Sequence, residues 1–394
     1  MKIVKIASMF ILGALVVLLA VIFIPYFFQR DMPFVVTQLD GSYYSIGYKE
    51  GQQAAQKQRL LRYALKLPIF AEATPERNKR ITQLLAELDP GLLDEMKGFS
   101  DATGIPYPEV VVKMSTYGLK PAIPGACTQI ALWPERTTNR HMLVGRSYDF
   151  SDIRVLTDRR LVLLSPEGSL ASIGTSQYYF GRYDGMNSAG LYIGMSAALG
   201  KGYQKEGFFF PMVVRILLDS CRSADAALQL IQKIPHSASY NYLIADAGNA
   251  YAVEVSPPKF AIRRAEKGLL IATNHYVSPS MKEEQKKVLP NSLFRYRTVE
   301  GLLGGSSKND LSGLQKILSG HHDEGVCVHH YMHFLGTLWS ATYDLDTKEV
   351  QYTLGAPCLN SYRRFSFPIK KKRDEIVQGH LPANDWLFHS ESKK

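Results

Sequence analysis

The pattern of the chain changes at Cys127, and that change limits the folds open to it. Before it, Tyr44 to Leu65, Arg77 to Leu88 and Gly91 to Thr103 read as helices, the last closed by Thr103-Gly104 ahead of Pro106. After it, strand-like runs dominate: Arg160 to Leu164, Gly190 to Met195, Tyr240 to Ala245, Ala250 to Val255, Thr337 to Tyr343 and Glu349 to Tyr352. Helical stretches at Pro211 to Ser220 and Asp225 to Ile234 interrupt them. This order predicts an α+β fold of two antiparallel sheets covered by helices on both outer faces. A chain of 394 residues with 46% hydrophobic content can bury the core such a sandwich needs. Without repeats or low-complexity tracts, it has no place for long disorder except at the C-terminal end.

Cys127 lies in Pro124-Gly125-Ala126-Cys127-Thr128-Gln129, and Gly145-Arg146-Ser147-Tyr148-Asp149-Phe150 follows at short range. Thr128 to Trp133 and His141 to Arg146 read as strands around a turn at Asn139-Arg140, a hairpin able to carry Arg146 and Asp149 back beside the cysteine. A thiol attacks only as thiolate, so a neighbouring cation and a base are what a nucleophilic cysteine needs. Lys120 to Ala126 is punctuated by Pro and Gly, with a small residue directly before the thiol. That composition predicts an exposed loop the chain cuts itself. A cut between Ala126 and Cys127 would free an α-amino group with a pKa near ~8, a base on the nucleophile's own residue. A cysteine packed as a small hydrophobe is the competing reading.

These blocks, with Asp184-Gly185-Met186-Asn187-Ser188-Ala189-Gly190-Leu191, resemble the choloylglycine hydrolases, penicillin V acylases and isopenicillin N acyltransferases, which are N-terminal-nucleophile hydrolases. The acyltransferase-like branch is the nearer match. Gly41-Ser42-Tyr43-Tyr44-Ser45-Ile46-Gly47-Tyr48-Lys49-Glu50-Gly51 resembles the opening of its pro-segment and Asp89-Pro90-Gly91-Leu92-Leu93-Asp94-Glu95-Met96-Lys97-Gly98 the middle, a segment that self-cleavage removes in that branch. The resemblance implies a four-layer αββα sandwich, no cofactor, and Arg146 and Asp149 as the pair holding the nucleophile's amino group and thiol. It implies Asn274, in Ile271-Ala272-Thr273-Asn274-His275-Tyr276, as an oxyanion donor, and Arg295, in Ser292-Leu293-Phe294-Arg295-Tyr296, as a second arginine. Arg297 stays open as a substitute if that stretch is extended. No asparagine follows the Gly190-Leu191 strand, so Ser196 or a backbone N–H is left as the second oxyanion donor. The implied activity is hydrolysis of linear amides of N-acylated small molecules, with acyl transfer to another amine as the alternative. N-acyl amino acids, acyl-homoserine lactones, penicillin V and conjugated bile acids are candidate substrates. A non-catalytic cell-surface binder of acylated ligands is the reading from another class.

Ile6 to Phe28 is uncharged and apolar over a length that spans a bilayer as a helix. Lys2 and Lys5 precede it and bulky residues follow, which predicts an uncleaved anchor with the catalytic part outside the cytoplasm. The expected organisation is therefore an anchor over 1–30, a helical pro-segment over 31–126 and a catalytic domain over 127–394. The net charge of +10 includes Lys370-Lys371-Lys372-Arg373, for which a solvated tail or a lipid surface is the expected setting; nucleic acid is not expected as a partner. Cys327 and Cys358 are possible partners for each other, and Cys221 falls in a helical pattern. His321-His322-Asp323-Glu324 and His329-His330 match no zinc template, so no metal is expected, and the glycines after Gly185 form no phosphate loop.

Overall fold

The structure is a computed structural model. It describes residues 30–383 apart from 57–64, 67–69, 117–124, 152–158, 178, 266, 306, 332–334 and 371–372, and only 13, 20 and 28 before that. The apolar run Ile6 to Phe28 thus lies outside the described residues, among which no helix is long and apolar enough to cross a membrane.

Strand β1 covers Arg30–Gly41, and among the described residues the helices α1 (Tyr43–Ala55), α2 (Pro75–Leu88), α3 (Gly91–Thr103) and α4 (Tyr107–Lys113) follow. Their limits follow from local chemistry. Ser42 caps α1 by accepting from the Ser45 N–H, Thr74 caps α2 by accepting from Arg77 with Pro75 at the first position, and Gly104 ends α3 in the left-handed conformation. Beyond Cys127 come β2 (Thr128–Leu132), β3 (Leu143–Phe150), β4 (Arg160–Pro166), β5 (Ser172–Ser176), β6 (Asp184–Asn187) and β7 (Tyr192–Ala197). Helices α5 (Phe210–Ser220) and α6 (Ala224–Ile231) lead to β8 (Tyr240–Ala245), β9 (Ala250–Ser256), β10 (Lys259–Arg263) and β11 (Leu269–Ala272). Helices α7 (Pro290–Leu303) and α8 (Leu311–Ser319) precede β12 (His329–His330), β13 (Leu335–Asp344), β14 (Glu349–Leu354), β15 (Arg363–Ser366) and β16 (Glu375–Leu381).

The strands form two sheets. One runs β10-β9-β8-β7-β6-β5-β4-β1-β16; the other runs β11-β2-β3-β13-β14-β15, with β12 paired to β13. Helices α5 and α6 pack on the first, α7 and α8 on the second, and β2 meets β7 between them, which gives the expected layering. Nearly every pairing is antiparallel. The exception among the described strands is β1 against β4, in register from Val35 opposite Arg160 to Gly41 opposite Pro166.

That strand corrects the expectation of a purely helical pro-segment. β1 belongs to the part before Cys127, yet β4 on one side and β16 on the other both come after it. An alternating buried pattern drives it inward: Met32, Phe34 and Val36 reach the core, and the Phe34 ring meets Trp339 of the other sheet edge-on at 6.3 Å.

Charge fastens the same two parts together. Helices α1 and α3 supply carboxylates, and the later chain supplies arginines. Arg215 on α5 donates to both oxygens of Glu95 at 3.0 and 2.7 Å and to Asp219 at 2.7 Å, while Arg160 donates to Glu50 at 2.8 Å and Gln53 at 2.6 Å. All these charged groups are buried. Gly47 and Gly98 allow α1 and α3 to touch backbone to backbone, because a Cβ at Gly47 would lie 1.7 Å from the Glu95 carbonyl oxygen.

Asp89 stands beside this cluster, and burial, with Asp219 adding to it, raises its carboxyl from 3.8 to about 7. The folded chain then holds a proton that the unfolded chain has released. The stability this contributes is complete below 3.8 and is lost as pH rises through about 7. Asp89→Asn is therefore expected to raise the thermal midpoint above wild type at about pH 8 and to match it near about pH 4. An equal midpoint shift at both pH values would show that the carboxyl ionises normally.

Candidate active site

Strand pairing brings the predicted residues together. β2 and β3 pair with Thr128 opposite Ser147 and Gln129 opposite Arg146, so Cys127 falls beside the far end of β3, where Asp149 lies. The Ala126 N–H donates to the Asp149 carbonyl at 3.1 Å, and the Cys127 thiol points at the same oxygen at 3.9 Å. Gly125, Ala126 and Cys127 are all buried. The expectation of an exposed loop over Lys120 to Ala126 fails for Gly125 and Ala126. Their small side chains let the strand ladder extend past β2, and Gly125 passes close to Asn274 and Ala197. Residues 121–124 lie outside the described part.

Arg146 is fully buried, and its Nε donates to Asp184 at 3.4 Å. Asp184 is fixed in turn by Thr175, Tyr352, Tyr343 and the Trp339 indole, at 2.8, 3.1, 3.3 and 2.9 Å. The two terminal nitrogens of Arg146 have no hydrogen-bond partner. Asp149 is similarly half-satisfied: Oδ1 accepts from Ser147 at 2.7 Å and Thr337 at 2.6 Å, and the buried Oδ2 accepts from nothing. Buried polar atoms without partners are uncommon in folded proteins, and here a cation and an anion of this kind flank one thiol.

Burial raises the Cys127 thiol above its ordinary pKa, with Arg146 pulling the other way. Burial also raises the Asp149 carboxyl, against the opposing charge of Arg295. The thiol is accordingly protonated at neutral pH, beside a carboxyl more basic than usual.

Asn274 follows β11 at a turn clamped from several sides. Its N–H donates to the Ser292 hydroxyl at 2.8 Å, and its side-chain nitrogen donates to the Ala197 carbonyl at 2.8 Å. Asn241 on β8 donates to the carbonyls of Thr273 and His275, at 2.9 and 2.8 Å. Arg295 is a buried residue of α7. It donates to the Cys127 backbone carbonyl, to the Thr128 hydroxyl at 2.7 Å and to the Asn274 side-chain Oδ1 at 2.8 Å. Because α7 is helical where an extended stretch would have kept both arginines together, Arg297 turns to solvent. Ser196 accepts from Gln129 at 3.1 Å, and Gln129 accepts from Tyr192 at 3.1 Å.

Sequence reasoning missed Asp184 as the anchor of Arg146, Thr337 as the anchor of Asp149, and Asn241 and Ser292 as the frame of Asn274. Asn241 carried a signal, since a lone amide in an otherwise apolar buried strand needs partners. The other roles depend on pairings far apart in sequence.

A buried cysteine at the head of an inner strand, between an arginine and a carboxylate in a two-sheet sandwich, is the arrangement that the resemblance to the N-terminal-nucleophile hydrolases implies. The family model for acyl-coenzyme A:6-aminopenicillanic acid acyl-transferase matches residues 136–358, and the chain belongs to that family. The 40 kDa form of acyl-coenzyme A:6-aminopenicillanic-acid-acyltransferase from Emericella nidulans is 25% identical over 247 residues, covering 59% of this chain and 67% of that one. Penicillin V acylase from Agrobacterium tumefaciens is 14% identical with a TM-score of 0.42, over 64% of this chain and 90% of its own. A variant of conjugated bile acid hydrolase from Clostridium perfringens is 14% identical with a TM-score of 0.43, over 67% and 100%.

Proposed function

We propose that the chain cuts itself between Ala126 and Cys127 and that the freed Cys127 hydrolyses linear amides of N-acylated small molecules through a thioester. The observation that carries this reading is the set of partnerless buried atoms around the thiol, Arg146 Nη1 and Nη2 and Asp149 Oδ2. Each gains a partner in the proposed chemistry.

In the cut, the thiol proton passes to Asp149 and the sulfur attacks the Ala126 carbonyl carbon. The bond to the Cys127 nitrogen breaks as that nitrogen takes up the proton, leaving Ala126 as a thioester on Sγ. Water opens the thioester, giving an Ala126 carboxylate, a free thiol and a new α-amino group. Protonated, that group meets Asp149 Oδ2; the thiolate meets the Arg146 guanidinium.

Turnover repeats the attack on an outside amide. The α-amine takes the thiol proton, sulfur adds to the carbonyl, and the α-ammonium protonates the departing amine. The same amine then activates the water that releases the acid. An Asn side chain carries two N–H donors, and one of those on Asn274 already serves Ala197, which leaves the other for the oxyanion. Asn274→Ala is expected to lower kcat about 100- to 1,000-fold with a smaller change in KM. Steady-state kinetics on an N-acyl amide panel checks this, and a loss confined to KM would remove the oxyanion role.

The family's own description favours a second reading, in which an amine rather than water opens the thioester. Adding a small primary amine during turnover separates the two, because transfer yields a new amide and hydrolysis yields only the acid. We further place the apolar run Ile6 to Phe28 in a membrane with the catalytic part outside the cytoplasm, on the strength of its length and flanking lysines. N-terminal sequencing of active material tests the whole scheme, since its larger piece should begin at Cys127.

A further inference from the structure

Four residues that match no sequence template converge at the edge of the second sheet. His321 and Cys327 lie after α8, His329 begins β12, and Cys358 follows β14. One ligand atom from each falls within 4.8 Å of the other three. The measured edges are 3.8 Å between the Cys327 and Cys358 sulfurs, 3.4 Å from Cys327 to His329 Nε2 and 3.3 Å from Cys358 to the same nitrogen. A tetrahedral zinc ion bound by two sulfurs at ~2.3 Å and two nitrogens at ~2.0 to 2.1 Å requires edges of roughly 3.3 to 3.8 Å. We propose that His321, Cys327, His329 and Cys358 bind one zinc ion in a closed structural site.

The backbone already holds these residues in place. Val326 donates to the Ile317 carbonyl at 3.0 Å and Cys327 to the Gly320 carbonyl at 2.9 Å, while the Asn360 side chain ties the Cys358 turn to the Ala356 and His380 carbonyls at 2.7 and 2.8 Å. Cys327 and His329 are buried, and Cys358 and His321 close the outer side. His321 Nδ1 lies 3.3 Å from the Cys327 carbonyl, the kind of acceptor that fixes the tautomer of a metal-bound imidazole. Two thiolates and two imidazoles in a tetrahedron favour zinc over magnesium or calcium. On binding, both thiols lose their protons to solvent and the ion joins three stretches of chain.

The site also touches the catalytic frame. Val328, next to Cys327, donates to the Thr337 hydroxyl at 2.8 Å, and that hydroxyl donates to Asp149 at 2.6 Å. Zinc would thus steady the residue that orients the carboxylate, without meeting substrate.

The test is elemental analysis of the full chain, purified without a histidine tag or chelators. About one zinc per chain is expected, retained in Cys127→Ala and Cys221→Ser and lost in the Cys327→Ser/Cys358→Ser pair. Should that pair fail to fold, titrating the wild type with a mercurial reagent should release zinc as these thiols react. Cobalt substitution should give thiolate charge-transfer bands. A mass showing a Cys327–Cys358 disulfide, a different stoichiometric metal, or free thiols without metal would overturn the proposal. Because retention in Cys127→Ala is read from metal content alone, failure of the site is distinct from failure of the proposed cleavage.

Discussion

Cys127→Ala is expected to leave a single uncut chain and to reduce amide turnover by at least about 1,000-fold, to the level that binding and oxyanion stabilisation alone supply. The sulfur is asked to act twice, first on its own preceding peptide bond and then on substrate, so its loss removes both events together. Cys127→Ser separates them. A hydroxyl is a weaker nucleophile at this burial, and slow cutting with little turnover is the expected result. Intact-mass analysis reads the first event and product release the second. Two pieces from the alanine variant, or turnover by it, would end the assignment. Expected reactivity before the cut also differs, because the thiol of the uncut chain is held protonated by burial. Alkylation of that thiol should be slow at neutral pH and accelerate as pH rises.

Arg215→Ala is the second large effect, and it concerns stability. Glu95 and Asp219 lose the cation between them, and both are buried. Burial already raises the Glu95 carboxyl against the pull of Arg215. Stranding two carboxylates in this way should cost about 3–5 kcal/mol of unfolding free energy, measured by denaturant titration in the uncut Cys127→Ala background. The Arg215→Met/Glu95→Leu/Asp219→Asn variant should recover much of it, since no buried carboxylate is then left without its cation. If the single variant loses less than about 1 kcal/mol, these ions are better hydrated than their burial implies.

The sequence made the layered architecture readable because strands and helices here carry ordinary signals. Tyr240–Ala245 and Gly91–Thr103 occur where the pattern placed them, bounded by turn or capping residues. The nucleophile and its neighbours were readable for another reason. Cys127, Arg146 and Asp149 sit on one hairpin, where register follows from short-range spacing. Asn274 and Arg295 came from resemblance, and only the fold gives them contacts. Three features escaped. β1 carries helix-neutral and strand-forming residues in a region dominated by helical signals, and its partners lie more than a hundred residues away. The buried setting of Gly125 and Ala126 is invisible to composition, which sees only small residues and a proline. Cys358 shares no local spacing with His329, so their approach depends on the turn after β14.

The place of β1 also sets an order of events in the life of the chain. A ribbon from before Cys127 is clasped on both flanks by ribbons from after it, so this wall of the sandwich needs both parts of the chain. Under the proposed scheme, scission would be a finishing step performed on a completed body. A gene encoding only the downstream piece would make a protein with a missing stave, and supplying the upstream piece afterwards would mean prying that wall open.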